Sequence, residues 1–200
     1  MYNIIAICGA KRSGKDVLSK YLTNKYKYKK IYFAEPLKKA VKELFNFNDV
    51  QVGIDEDNAN GDEKDKIDDR WGISPRKALQ YFGTEIMQYK INDIIPNINR
   101  DFFANILVSK LIENEKYVIS DLRFLHEYEK IKGLNIIIIK IKRPYIYNDN
   151  SNDNVNYSDK HISENEFEKI PNTIELLNNG TIENFIENFE LLNKEYNITE

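Results

Sequence analysis

The chain of 200 residues has a single cysteine, Cys8. No disulfide can form within it, so stability has to come from a packed core. A lone thiol in an apolar run reads as a buried residue of a reducing compartment. Histidine is almost as scarce, with only His126 and His161, and neither has a Cys or second His at ligand spacing. That gives no zinc pattern, and His161 reads as a structural or lid contact rather than a catalytic base. Long hydrophobic runs are absent: "NIIIIKIK" at 135–142 has the length of a strand, far below a membrane span. The opening "MYNIIAICGA" lacks the basic segment and apolar length of a signal peptide. Excess positive charge is missing too. With 29 Lys and Arg against 32 Asp and Glu, the net charge is −3, so no bulk field draws the chain to nucleic acid or to an anionic membrane. A cytoplasmic protein is expected, in the host cytoplasm if the source is viral. Arginine supplies only 6 of the 29 cations, leaving 23 lysines. The skew suits AT-rich coding, as in a virus or a parasite, and makes each arginine worth locating.

What is present is the composition of a globular domain, 42% hydrophobic and 30% charged. Strand-like and helix-like stretches alternate, the pattern of an α/β protein with a parallel sheet of about five strands flanked by helices. Strands are expected at 2–8, 29–34, 116–120, 135–142 and, more briefly, 173–179. Helices are expected at 14–26, 36–45, 74–90, 100–114, 123–132 and 182–194, with Ser74-Pro75 and Thr181 as start signals. One domain spanning 1–200 is the reading, with two long polar connections at 48–70 and 145–160. Connections of that length in a compact domain are lids, binding segments or disorder. "DEDNANG" resembles a calcium loop, but Ala59, a glycine one place late and Lys66 at the twelfth position reject it.

Residues 9–16 read "GAKRSGKD". A phosphate-binding loop asks for Gly, four residues, Gly-Lys, then Ser or Thr, between a buried strand and a helix. Gly9, Gly14 and Lys15 comply, in the required context. Successive backbone N–H groups would wrap a phosphate at a helix N-terminus, and Lys15 would add a full charge. Position 16 is Asp. A carboxylate can bind Mg²⁺ directly or through water, which would make Asp16 the metal-side residue of a Mg·ATP site. It can equally complement the helix dipole. Lys11 and Arg12 add cations inside the loop, or simply a solvated basic turn.

"GAKRSGKD" resembles the P-loop of the phage-type deoxynucleoside monophosphate kinases. The resemblance continues, in family order, through "FAEPLKKAV" at 33–41, "RKALQYFGTEIM" at 76–87, "VISDLRFLHEYEKIKG" at 118–133, "IKRP" at 141–144, "DKHISE" at 159–164 and "NNGTIENF" at 178–185. It covers most of the chain outside the two long connections; the 46–70 stretch has no clear counterpart, and the chain is shorter than the relatives in view. The resemblance implies a P-loop kinase fold with lid loops, ATP and Mg²⁺ as cofactors, and a deoxynucleoside monophosphate as acceptor. A homodimer is an expectation from resemblance only. Lys15, Arg12 and Arg123 would be the catalytic cations. Gly9, Arg12, Ser13, Gly14, Lys15, Asp16 and Arg143 would serve ATP. Lys11, Leu37, Lys38, Arg70, Arg76, Lys77, Gly83, Thr84, Asp121, Arg123 and Glu127 would serve the acceptor.

Some of these positions are also unusual on physical grounds. Arg76 and Lys77 oppose the dipole of the helix they begin, and Gly83 costs helix stability. Asp121 and Arg123 follow a buried strand, at the sheet edge where α/β proteins bind ligands, although Asp121 also suits a helix N-cap. Other readings stand beside the leading one. Animal-type phosphomevalonate kinases share a Gly-Lys-Asp loop and a Ser-Asp-x-Arg stretch, here "ISDLR". A nucleotide-binding regulatory module would leave the acceptor-side cations without purpose, and a nucleic-acid end kinase would want a basic groove.

Overall fold

The computed structural model describes residues 3–54, 61–144 and 166–199. Its centre is a five-stranded, wholly parallel sheet in the order β2-β3-β1-β4-β5. The strands are β1 (Asn3–Gly9), β2 (Lys29–Ile31), β3 (Lys116–Ile119), β4 (Ile136–Lys142) and β5 (Thr173–Leu177). The helices are α1 (Lys15–Tyr26), α2 (Glu35–Phe45), α3 (Asp49–Val52), α4 (Gly61–Asp65), α5 (Pro75–Tyr81), α6 (Phe102–Ser109), α7 (Leu125–Ile131) and α8 (Ile182–Tyr196). The expected α/β class and strand count are what the structure has. None of the helices is long and apolar enough to cross a membrane, among the described residues.

The chain divides into two compact units, Met1–Tyr32 with Lys110–Glu200, and Phe33–Ser109. The first holds the sheet. Strand β1 is central, and Ile4 to Cys8 are all buried, as a parallel strand covered on both faces requires. Side chains alternate across it, so Ile5 and Ile7 fall on one face. There they join Val118, Ile139, Ile141 and Leu176, packed by Leu18 and Leu22 of α1 and by Phe185 and Phe189 of α8. The chain leaves β1 toward β2 on one side of the sheet and later crosses to β4 on the other. The order therefore reverses at β1, a point where parallel α/β sheets bind ligands beyond the strand C-termini.

The second unit is helical. Val41, Phe47, Val52 and Ala78 form its core, with Leu37, Phe45, Ile73, Leu79 and Phe82 packed around them. Here the structure corrects several expectations. The 48–70 stretch is not a plain loop, because α3 and α4 lie in it. Asn48 accepts from the Gln51 N–H at 2.9 Å while Gln51 accepts from the Asn48 N–H at 2.9 Å, a capping box that the acidic composition obscured. The helix expected over 74–90 begins at Ser74, whose Oγ accepts from Lys77 N at 3.3 Å. It then changes to a π-helix over Phe82–Tyr89 and a 3₁₀ turn over Lys90–Asp93. A search at a period of 3.6 does not register a widened turn.

Three further elements are shorter than expected: β2 ends at Ile31, the 100–114 helix is Phe102–Ser109, and the 123–132 helix starts at Leu125. The last difference has a clear cause. Glu127 takes the N–H groups of Arg123 and Phe124 with its side chain, at 2.9 and 3.0 Å, and Phe124 stays extended at φ −112°. Residues 120–124 therefore remain a loop. The 145–160 connection, His161 and "DKHISE" lie outside the described residues.

Candidate functional site

The loop from Gly9 to Lys15 joins the buried β1 to α1, and its backbone demands its sequence. Gly9 and Gly14 hold φ of +148° and +111°, and Arg12 holds +61°, all in the region L side chains avoid. A Cβ on Gly9 would meet Ile141 O and Ser13 Oγ at 2.8 Å, and one on Gly14 would meet Asn178 Nδ2 at 2.7 Å. The loop closes on itself where Ser13 N donates to Ala10 O at 3.2 Å. Ser13 is buried beneath it, whereas Lys11, Arg12 and Asp16 are exposed.

Lys15 curls over the loop, its Nζ donating to Gly9 O at 2.9 Å and Ala10 O at 2.6 Å. Burial, and then the Arg123 guanidinium, lower its pKa to about 8, with Asp16 and Asp121 opposing that shift. Arg123 belongs to the loop after β3, next to β1 in the sheet with Ala6 opposite Ile119. The two parallel strands deliver the P-loop and the 120–124 loop to the same edge. Lys15, Asp121 and Arg123 are thereby brought to one end of the sheet.

Beneath that loop lies Glu127, only 6% exposed. Its Oε2 accepts from the Arg123 and Phe124 N–H groups. Burial, and then the neighbouring Asp121 carboxylate, push its pKa up to about 8 despite those donors and the Arg123 charge. The carboxylate is turned to the loop backbone, not outward. The N-terminus of α7 gains a second carboxylate from Glu166, whose Oε1 accepts from Leu125 N at 3.2 Å.

Arg143 follows β4 and reaches the P-loop, its Nη1 donating to Arg12 O at 2.8 Å. Asn178, just past β5, donates from Nδ2 to Ser13 O at 2.8 Å. Sequence reasoning missed the contribution of Asn178; its only sign was its place in "NNGTIENF".

Several acceptor-side candidates of the helical unit are engaged with other groups of that unit. Lys38 Nζ donates to Gly53 O at 2.8 Å. Arg70 grips Asp68 with two bonds of 2.8 and 2.7 Å and also donates to Asn46 O at 3.1 Å. That contact holds the Asp68 carboxyl down near 2. Arg76 pairs with Asp65, while Lys77 is exposed. Thr84 is buried in the π-helix. Gly83 beside it would place a Cβ 2.7 Å from Leu37 Cδ2, so the close approach it permits is that of α2. A groove of about 300 Å³ opens between Gln51, Glu63, Lys66 and Arg70.

No cluster of three or more His, Cys, Asp or Glu is gathered as a metal centre among the described residues. Mg²⁺ does not need one, since it is commonly held by one or two carboxylates together with substrate phosphates. The exposed Asp16 in the first turn of α1 fits that requirement.

A buried strand, a glycine-bounded loop closed by lysine and a helix, set at the reversal point of a five-stranded parallel sheet, define a P-loop nucleotide-binding fold. The sequence profile of the family "Deoxynucleotide monophosphate kinase" matches residues 3–69 and 50–189, two segments that overlap in the 50–69 stretch. The chain belongs to that family. A protein of Acanthamoeba polyphaga mimivirus, "Putative deoxynucleotide monophosphate kinase", is 38% identical over 191 residues, covering 91% of each chain. A solved structure of dephospho-CoA kinase from Campylobacter jejuni aligns over 97% of each chain with 14% identity and a TM-score of 0.47. The family is one of nucleotide kinases, a phosphotransferase class that acts on small-molecule nucleotides and uses ATP.

Proposed function

We propose that the protein transfers the γ-phosphoryl group of ATP to deoxynucleoside monophosphates, forming deoxynucleoside diphosphates and ADP. The observation that carries this reading is the convergence of Lys15 and Arg123 on loops from adjacent strands, close enough for one charge to lower the pKa of the other. Two cations held together repel each other, a repulsion that Asp16 and Asp121 offset only in part, and the pair favours a shared anion between them. Phosphoryl transfer needs such a clamp more than it needs a base, because the acceptor oxygen is already ionised. Arg123 suits the acceptor phosphate, since a guanidinium binds it in bidentate fashion.

In this reading the P-loop from Gly9 to Lys15, with Arg12, Ser13 and Gly14, holds the phosphates of ATP. Asp16 would hold Mg²⁺ together with the phosphate oxygens, and such an ion would supply charge neutralisation at the transferring phosphate. Lys11, Lys38, Arg70, Arg76 and Lys77 are the reserve of cations for the acceptor. The ion pairs of Arg70 with Asp68 and of Arg76 with Asp65 would then have to exchange partners on binding. Glu127 supports the Arg123 loop rather than contacting the nucleotide. Transfer to an acceptor also requires that water be excluded, since it would otherwise take the phosphoryl group.

A coupled ADP-release assay with Mg·ATP tests the proposal, with each dNMP, each NMP and phosphomevalonate offered as acceptor. Turnover with one or more dNMPs supports it. Turnover with phosphomevalonate alone would give the site a different acceptor, and ATP binding without any turnover would leave a regulatory module.

A further inference from the structure

The P-loop is held from behind by two side chains that sit far away in sequence. Arg143, after β4, donates to the carbonyl of Arg12 at 2.8 Å. Asn178, after β5, donates to the carbonyl of Ser13 at 2.8 Å. The consequence follows from peptide geometry. In a trans peptide the C=O and the N–H point in opposite directions, so a carbonyl fixed on one side fixes an N–H on the other. The peptide whose carbonyl Arg143 holds presents the N–H of Ser13, and this donates to Ala10 O within the loop. The peptide whose carbonyl Asn178 holds presents the N–H of Gly14, turned away from Asn178 and at the N-terminus of α1.

Asn178 is itself anchored. Its backbone N donates to Lys142 O at 2.9 Å, at the end of the β4–β5 ladder, and its side chain is 8% exposed. The space admits no larger group, because even a methyl on Gly14 would lie 2.7 Å from Nδ2.

We infer that Asn178 is a positioning residue for phosphoryl transfer: it sets the Ser13–Gly14 peptide so that the Gly14 N–H is pre-aimed at an ATP phosphate. The inference rests on the reading of this loop as the ATP site. Only a donor of this length serves. Alanine would leave Ser13 O without its partner and let the peptide rotate. Aspartate would set a carboxylate against that carbonyl and add a negative charge behind a loop that must bind anions.

The test uses the full chain and reads the Kd of ATP by calorimetry, the KM of a dNMP, and the melting temperature. Variants are Asn178→Ala, Asn178→Asp and Asn193→Ala. Asn193 is the control, since it ties α8 to the Tyr26 hydroxyl at 3.0 Å and to Thr199 N at 3.0 Å without touching the P-loop or Asn178. Asn178→Ala is expected to raise the ATP Kd roughly three- to tenfold, and Asn178→Asp by more than about tenfold, with the dNMP KM unchanged. Asn193→Ala should lower the melting temperature and leave ATP binding alone. If Asn178→Ala does not fold, Asn178→Ser, too short to reach Ser13, carries the same expectation. ATP affinity within about twofold of wild type in the Asn178 variants would overturn the inference alone. So would parallel losses of ATP affinity, dNMP affinity and stability. A wild-type chain that binds no ATP would overturn the reading of the loop and this inference with it.

Discussion

Glu127→Gln is the substitution whose effect can be worked out most fully. Glu127 is buried and accepts two backbone N–H bonds. Its pKa is raised from 4.5 to about 8. A carboxyl group whose folded pKa exceeds its unfolded value binds more protons in the native state. It therefore stabilises the fold fully below about pH 4.5, and this contribution is lost as pH rises toward 8. Between pH 5 and 7 the linkage amounts to about 2 kcal/mol. Glutamine keeps an acceptor oxygen for both N–H groups and never ionises, so the variant should lack this slope. The assay is urea denaturation of both proteins at pH 5, 6, 7 and 8. Subtracting one profile from the other cancels groups common to both that do not sense the charge of Glu127. The variant should gain on the wild type by about 2 kcal/mol from pH 5 to 7. Parallel profiles would show that Glu127 is already ionised at pH 5, and would refute the claim that burial outweighs its two donors.

Two other substitutions separate the roles of the two units. Arg123→Ala removes a charged donor from the acceptor side and should raise the dNMP KM by roughly 10- to 100-fold while ATP Kd moves little. Equal weakening of both would sink that assignment. Gly83→Val forces side-chain atoms into the space of Leu37 and should destabilise by about 1–3 kcal/mol. Adding Leu37→Ala should recover part of that loss, seen as a non-additive cycle in denaturant midpoints. Strict additivity would mean that the two residues do not compete for space.

The parts of the site written locally could be read from the sequence. The P-loop is a stretch whose glycines answer local backbone needs, at φ +148° and +111°, and whose context is one strand and one helix. Asp121 and Arg123 were legible for the same reason, as polar residues directly after a buried strand. The start of α7 was misplaced because Glu127, at the third helical position, reaches back to the N–H groups of Arg123 and Phe124 and sets the cap at Phe124. The π-helix was hidden because a widened turn leaves little trace in hydrophobic spacing, and Gly83 was its one visible sign. Asn178 could not be found from pattern alone. Its partner Ser13 is 165 positions away, and only the crossover that sets β4 and β5 beside β1 brings them together. The pairing of Arg70 with Asp68 was overlooked for a different reason: the acidic stretch was treated as a featureless loop.

The central claim is transfer of phosphate between two nucleotides, and direct detection of product tests it best. The protein would be incubated with Mg·ATP and a single dNMP, and the nucleotides resolved by phosphorus NMR or chromatography, beside Lys15→Ala checked for folding. The account predicts one dNDP formed for each ADP, and neither with the variant. ADP accumulating with free phosphate and no dNDP, or dNDP formed equally well without Lys15, would contradict it.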